Sequence, residues 1–291
     1  PPISICNDVD NDISPPWEFQ YSDMMRDRCV ARPGRQSRVS CSCVGICGEH
    51  GPCDCLTFQR QWTRSWGIEG FAFDRNGRLI DPNHPIFECN DLCGCDERCP
   101  NRIIQNGRRM PLTIAKTQAK GWGVTNGSEV IHAGEFVGIY SGEILEQREA
   151  QRRGRVYDMA GRTYLFDLDF WFLHGVGGSK TPMYTVDASQ TGNFTRFLNH
   201  SCDPNLLTVA AYVNESDLAK PLITFFARRD IQPGEELTFS YYGVDEDSGE
   251  DDDNGTTVED EIPSEEIHVP CLCGARKCKG KPDPDTPCEK R

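Results

Sequence analysis

Short apolar runs separated by glycine and proline dominate the chain beyond residue 100. Pro111 to Ala115, Glu135 to Tyr140, Tyr164 to Asp169, Leu206 to Val213 and Leu222 to Ala227 each have the length and the β-branched or aromatic content of a β-strand. Glu146 to Tyr157, rich in Gln, Arg and Glu, predicts the one longer surface helix. Strands and helices do not alternate as they would in a doubly wound sheet, so the expected class is mostly β. Earlier in the chain the texture differs. Residues 1–40 are polar and contain proline, with Trp17, Phe19 and Tyr21 as the side chains able to tie an arm to the body. Gln59 to Glu88 holds Phe71-Ala72-Phe73 followed by Asn76-Gly77, which predicts a small hairpin or turn acting as a spacer.

The formal charge of −14 changes this picture only locally. Twelve carboxylates and no Lys or Arg lie between Asp245 and Glu266, and removing those twelve negative charges leaves a body at −2. Such a run predicts a solvated, disordered linker, with steering of a basic peptide as its functional alternative. Neither favours nucleic acid, whose phosphates it would repel. No apolar run approaches membrane-spanning length, and Pro1-Pro2-Ile3-Ser4-Ile5-Cys6 lacks the basic and apolar regions of a signal peptide. The expectation is a soluble, intracellular, monomeric chain.

Cysteine usage is more specific. Nine of the sixteen cysteines form the pattern C-x-C-x3-C-x5-C-x-C, an interval of 33 residues, then C-x3-C-x-C-x3-C: Cys41, Cys43, Cys47, Cys53, Cys55, Cys89, Cys93, Cys95 and Cys99. Partners in a C-x-C pair cannot easily bridge to each other, nine is odd, and few apolar residues there could build a core. Tetrahedral thiolate metal sites account for all three facts, with zinc favoured over an iron–sulfur cluster. Three zincs need twelve ligand positions, which nine sulfurs fill if three of them bridge. Cys6 and Cys29 have no partner spacing. Cys271, Cys273 and Cys278 are one ligand short of a tetrahedron, with Cys288 a nearby candidate.

The stretch Arg196-Phe197-Leu198-Asn199-His200-Ser201-Cys202-Asp203-Pro204-Asn205 carries an amide, an imidazole and a thiol behind an apolar pair that can anchor a short helical turn, which Asp203-Pro204 would stop. It resembles the R-F-x-N-H-S-C-x-P-N signature of SET-domain protein lysine methyltransferases. Asp230-Ile231-Gln232-Pro233-Gly234-Glu235-Glu236-Leu237-Thr238-Phe239-Ser240-Tyr241 resembles that family's D-I-x-x-G-E-E-L-x-x-D-Y ending, with Ser240 where the family has Asp and with Tyr242 as a rival to Tyr241. Gly121-Trp122-Gly123 is no dinucleotide fingerprint, because the third glycine position is Asn126, but it matches the family's G-W-G turn. The nine-cysteine pattern resembles the pre-SET module of histone H3 methyltransferases, of a fungal, heterochromatin-directed type.

The resemblance covers Cys41 to Cys278. It implies a SET β-fold with a C-terminal pseudoknot near Asn199 and Tyr241, divided as an arm (1–40), a pre-SET zinc cluster (41–108), a catalytic domain (109–244), an acidic linker (245–269) and a post-SET tail (270–291). It implies S-adenosylmethionine as cofactor, bound by Gly121, Trp122, Gly123, Tyr164, Arg196, Asn199, His200 and Leu272. Three zincs fall in the pre-SET cluster and a fourth is held by Cys202, Cys271, Cys273 and Cys278. Tyr241, Tyr140 and Phe239 line the lysine channel, and Asp167 and Asp169 flank the peptide groove. The activity implied is methylation of the histone H3 tail in nuclear chromatin, at its ninth-residue lysine, to di- or trimethyl product. The alternatives are another histone lysine, a chromatin-binding module without activity, and a zinc-stabilised interaction protein.

Overall fold

The computed structural model describes residues 1–25, 30, 34–48, 52–159, 163–170, 182–241, 271–276 and 278. The acidic run, Tyr242, Cys29, Cys288 and residues 279–291 lie outside the described residues.

Period-two alternation builds the sheet that matters most. In β4 (Leu112–Lys116) the alternate residues Leu112 and Ile114 are buried while Thr113 and Ala115 are half-buried, as a strand covered on one face requires. β4 forms a hairpin with β5 (Trp122–Asn126), closed where Gly121 takes φ +73° and the Thr117 amide donates to its carbonyl at 2.7 Å. Outside β4 runs β1 (Ile3–Cys6), parallel to it; beyond β5 comes β14 (Glu236–Phe239), antiparallel to β5, and then β11 (Asn199–His200), parallel to β14. The strand from the end of the domain is therefore threaded between β5 and the segment around Asn199, the pseudoknot the family resemblance implies.

A second sheet orders β3 (Ile86–Phe87), β12 (Leu206–Tyr212), β13 (Leu222–Ala227) and β6 (Phe136–Ile139). Strand β13 lies inside it, covered on both faces, which is why its run of apolar residues is continuous rather than alternating. Phe225 faces the main core with Ile114, Val124 and Leu237, and Phe226 faces a second core with Phe73 and Phe136. A third sheet orders β7 (Glu143–Glu146), β9 (Tyr184–Asp187) and β8 (Leu165–Asp167). The predicted helix is α2 (Gln147–Met159), fastened to that sheet through Arg153, which donates to Glu143 at 2.8 Å and to the buried Asp187 at 2.9 Å. The arm is anchored where β2 (Gln20–Tyr21) pairs with β10 (Thr191–Gly192). Of its three aromatics Phe19 packs against the core, while Trp17 and Tyr21 stay exposed.

Several elements depart from the sequence expectations. A helix, α1 (Asp54–Thr63), starts inside the cysteine pattern, and its buried stripe is Cys55, Leu56, Gln59 and Thr63, too polar to register as hydrophobic periodicity. The hairpin after it is present as an isolated bridge between Phe73 and Leu79 around Gly77 at φ +75°. The helical turn before Asn199 is a 3₁₀ turn over Phe194–Phe197, and Asp203-Pro204 does not end it. It ends at Leu198, whose ψ of 125° swings the chain into β11, because Asn199 and His200 are claimed by pairing with Thr238 and Phe239.

Candidate functional site

Three hydrogen bonds fix the crossing. Ser201 donates its backbone N–H to the Phe239 carbonyl at 3.1 Å, Tyr241 donates its own to Nδ1 of His200 at 3.1 Å, and the Tyr241 hydroxyl donates to the Leu198 carbonyl at 2.9 Å. Asn205 locks β14 from the other side, its amide reaching the Glu236 carbonyl at 2.8 Å and its oxygen accepting from the Thr238 N–H at 2.9 Å. Burial lowers the pKa of His200, and the nearby Lys120 adds to this, so the ring is neutral near pH 7. With Nδ1 accepting from Tyr241, the ring proton sits on Nε2, 3.5 Å from Sγ of Cys202.

Behind Tyr241 lies an aromatic box. Phe239 is centred 4.8 Å from Tyr241, 4.9 Å from Phe225 and 5.8 Å from Phe166, and Tyr140 closes the box 5.3 Å from Phe166 and 6.4 Å from Phe225. The Tyr140 hydroxyl donates to the Tyr164 carbonyl at 2.9 Å. Burial pushes the phenols of Tyr140 and Tyr241 well above the usual tyrosine range, so both remain neutral. The sequence marks Phe166 and Phe225 as strand residues only; the one signal it carries is that each sits in an apolar run.

On the opposite side of β11, Asn199 donates to the Trp122 carbonyl at 3.2 Å and to Oε1 of Glu236 at 2.9 Å. A methyl group on Gly123 would stand 2.8 Å from that carboxylate oxygen and 2.9 Å from the Asn199 amide nitrogen, so a larger residue there would push the two side-chain ends aside. Arg196 lies between two rings, its guanidinium carbon 4.1 Å from the centres of both Phe19 and Tyr164. Gly121, Trp122, Gly123, Asn199, His200 and Tyr241 thus meet through β5, β11 and β14, with Tyr164 and Arg196 beside Tyr140. Asp167 accepts from the Thr185 hydroxyl, and Leu272 is 54% exposed in the C-terminal segment.

Cys202 also faces that segment. Its Sγ is 3.9 Å from Cys271, and with Cys273 and Cys278 it forms a group whose sulfurs all lie within 4.8 Å of one another. In the earlier cluster, three such groups overlap: Cys41, Cys43, Cys47 and Cys53; Cys41, Cys55, Cys89 and Cys93; and Cys41, Cys47, Cys89 and Cys95. A sulfur bridges two metals, not three. If Cys99, 3.9 Å from Cys89, took the place of Cys41 in the last group, Cys41, Cys47 and Cys89 would be the three bridges of a three-zinc cluster. The spacing fits zinc: Zn–S bonds of about 2.3 Å imply tetrahedral edges of roughly 3.8 Å, against Sγ separations of 3.5 Å for Cys41–Cys47, 3.7 Å for Cys47–Cys89 and 3.5 Å for Cys55–Cys93. Burial pushes the Cys41 and Cys47 thiols up, so thiolates crowded there need a cation.

Family models match two stretches, the Pre-SET motif over residues 1–102 and the SET domain over residues 121–242. A Cryptococcus neoformans protein named histone-lysine N-methyltransferase, H3 lysine-9 specific, is 38% identical over 91% of this chain and 16% of its own length. The curated relatives are covered over 16% to 62% of their lengths, so the chain spans less than two thirds of each. Among solved structures, the Neurospora SET domain protein DIM-5, a histone lysine methyltransferase, superposes with a TM-score of 0.72 at 32% identity, over 90% of this chain and 99% of that one. KRYPTONITE in complex with mCHH DNA, an H3(1-15) peptide and SAH gives a TM-score of 0.70 at 27% identity, over 95% of this chain and 50% of that one.

Proposed function

Because the chain belongs to the family of SET-domain histone lysine methyltransferases with a pre-SET module, we propose that it methylates a lysine of the histone H3 tail in nuclear chromatin, using S-adenosylmethionine. The ninth-residue lysine is the proposed target, to di- or trimethyl product, by analogy with the relative's H3 lysine-9 specificity. The DNA in the KRYPTONITE complex belongs to a chain of which this one spans half, and no DNA contact is proposed here.

Bound S-adenosylmethionine supplies an electrophilic methyl group on a cationic sulfur. The residues then have three tasks. Asn199, His200, Arg196, Tyr164 and the Gly121-Trp122-Gly123 turn would hold the cofactor, with Leu272 covering it. The box of Tyr140, Phe166, Phe225, Phe239 and Tyr241 would admit the lysine. Free lysine has a pKa of about 10.4, so deprotonation at neutral pH costs roughly 4 to 5 kcal/mol; an apolar box next to a positive sulfur lowers that pKa by desolvation and like charge. The hydroxyls of Tyr140 and Tyr241 already give their protons to backbone carbonyls, so towards an amine each can only accept. An amine donating its N–H bonds to both has its lone pair turned away from them, which orients the attack.

Phe239 bears on the number of methyls. Among the described residues its neighbours at ring-contact distance are Phe166, Phe225 and Tyr241, and its own ring carries no hydroxyl to hold the amine or a water beyond the hydroxyls of Tyr140 and Tyr241, so the methylated amine can turn for another round. The zinc sites are proposed to hold three ions in the nine-cysteine cluster and one at Cys202, Cys271, Cys273 and Cys278. The observation that carries the proposal is the pair of proton-donating tyrosine hydroxyls around Phe239, next to Asn199 and His200. A labelled-cofactor assay on histone H3 tests it. Label should transfer with the wild-type chain and not with Tyr241→Phe; equal transfer by both would refute the assigned role.

A further inference from the structure

Both amide protons of Asn199 are engaged by the protein, one by the Trp122 carbonyl and one by Oε1 of Glu236. Swapping the ends of the amide would set its oxygen against two acceptors, so the orientation is fixed by its partners. The consequence is that Oδ1 is the end left to meet a ligand, and it can only accept. Of the two partners the Trp122 carbonyl is backbone, fixed by β5. Glu236 is a side chain, and its second oxygen is held by Lys120 Nζ in an ion pair whose side chains are 25% and 17% exposed. The backbone of Glu236 is independently secured, its carbonyl accepting from Asn205.

We propose that Glu236 is a positioning residue for cofactor binding: it fixes Asn199 as a hydrogen-bond acceptor towards an N–H donor of S-adenosylmethionine, and Lys120 holds Glu236 in that role. This rests on the cofactor assignment made above. The pair also accounts for Gly123, since any Cβ there would wedge between Glu236 and Asn199.

Glu236→Gln separates orientation from packing. A glutamine carbonyl offers one acceptor for which Lys120 and Asn199 compete; if Lys120 takes it, the glutamine amide faces Asn199 and favours the wrong flip. Removing Lys120 as well returns the carbonyl to Asn199. Titration calorimetry with S-adenosylmethionine on the full, zinc-loaded chain should show affinity about tenfold weaker for E236Q, the loss expected for one hydrogen bond to a charged group. K120A/E236Q should recover most of that loss, and K120A alone should stay within about threefold of wild type. The KM for peptide and the melting temperature without cofactor should hardly move in any of them. A purely structural ion pair predicts the reverse order, with the double variant no better than E236Q. Wild-type affinity in E236Q, or no recovery in K120A/E236Q, overturns the inference, whereas absence of binding by the wild type overturns the cofactor assignment instead. If E236Q does not fold, Gly123→Ala wedges the same pair apart without changing either side chain, and unchanged affinity there also overturns the inference.

Discussion

Two cysteine sites in this chain use the same ligand chemistry for opposite purposes. In the nine-cysteine cluster seven thiols are buried, and among the described residues the only apolar side chains buried with them are Leu56 and Phe71. Sulfur there takes the place of a hydrophobic core, and α1 is built onto it through Cys53 and Cys55. In the C-terminal site all four thiols are half-buried and none belongs to a hydrophobic cluster. That site instead joins two segments 69 residues apart in sequence, next to His200. The proposed metal in the first would be a condition of folding; the proposed metal in the second would close the proposed cofactor site.

The sharpest way to break this comparison is to remove a bridge. Cys89→Ser removes one ligand from each of two metal positions and should leave the chain insoluble or holding about one zinc; four zincs and a wild-type melting temperature would sink the bridging assignment. Cys202→Ser comes next. Activity should fall by about 100-fold and zinc content by one, while the melting temperature of the body drops only a few degrees. A chelator titration followed by metal analysis and circular dichroism should release the exposed zinc first, abolishing activity before any secondary structure is lost; simultaneous loss would erase the distinction between the sites. Phe239→Tyr puts a hydroxyl beside Phe166 and Phe225 and should yield mainly monomethyl peptide by mass spectrometry at near-wild-type peptide KM.

The last prediction concerns pH dependence. Deprotonated lysine rises about tenfold per pH unit below its pKa, so turnover should climb from neutral towards that of the buried amine. Because burial raises the phenols of Tyr140 and Tyr241, they stay protonated over this range and add no falling limb. A flat profile from pH 7 to 10 would count against desolvation of the amine.

What the sequence revealed follows the same division. Cysteine spacing announced the first site and three thiols of the second, because thiol chemistry is carried by residue type; Cys202 came only from the family resemblance. The spacing could not say which sulfurs bridge: Cys41, Cys47 and Cys89 are set apart only by where α1 and the turn at Cys89–Cys99 bring them. Strands β4, β12 and β13 were legible from apolar runs. Strands β5, β7, β9 and β14 carry no such signal, since sequences such as Glu143-Ile144-Leu145-Glu146 are extended because a neighbour pairs with them. The crossing of Asn199 and Tyr241 is topological, and no local rule yields it. Phe166, Phe225, Asn205 and Glu236 escaped for that reason: each acts through a residue far away in sequence.

Mass spectrometry of a histone H3 tail peptide, incubated with S-adenosylmethionine and the wild-type or the Cys202→Ser chain, tests the central claim most directly. The claim is that a channel built at the crossing is made competent by the C-terminal cysteine site. Two or three methyl groups on the ninth-residue lysine with the wild type, and almost none with the variant, is the predicted result. Equal methylation by both, or none by a wild-type chain that binds the cofactor, would contradict it.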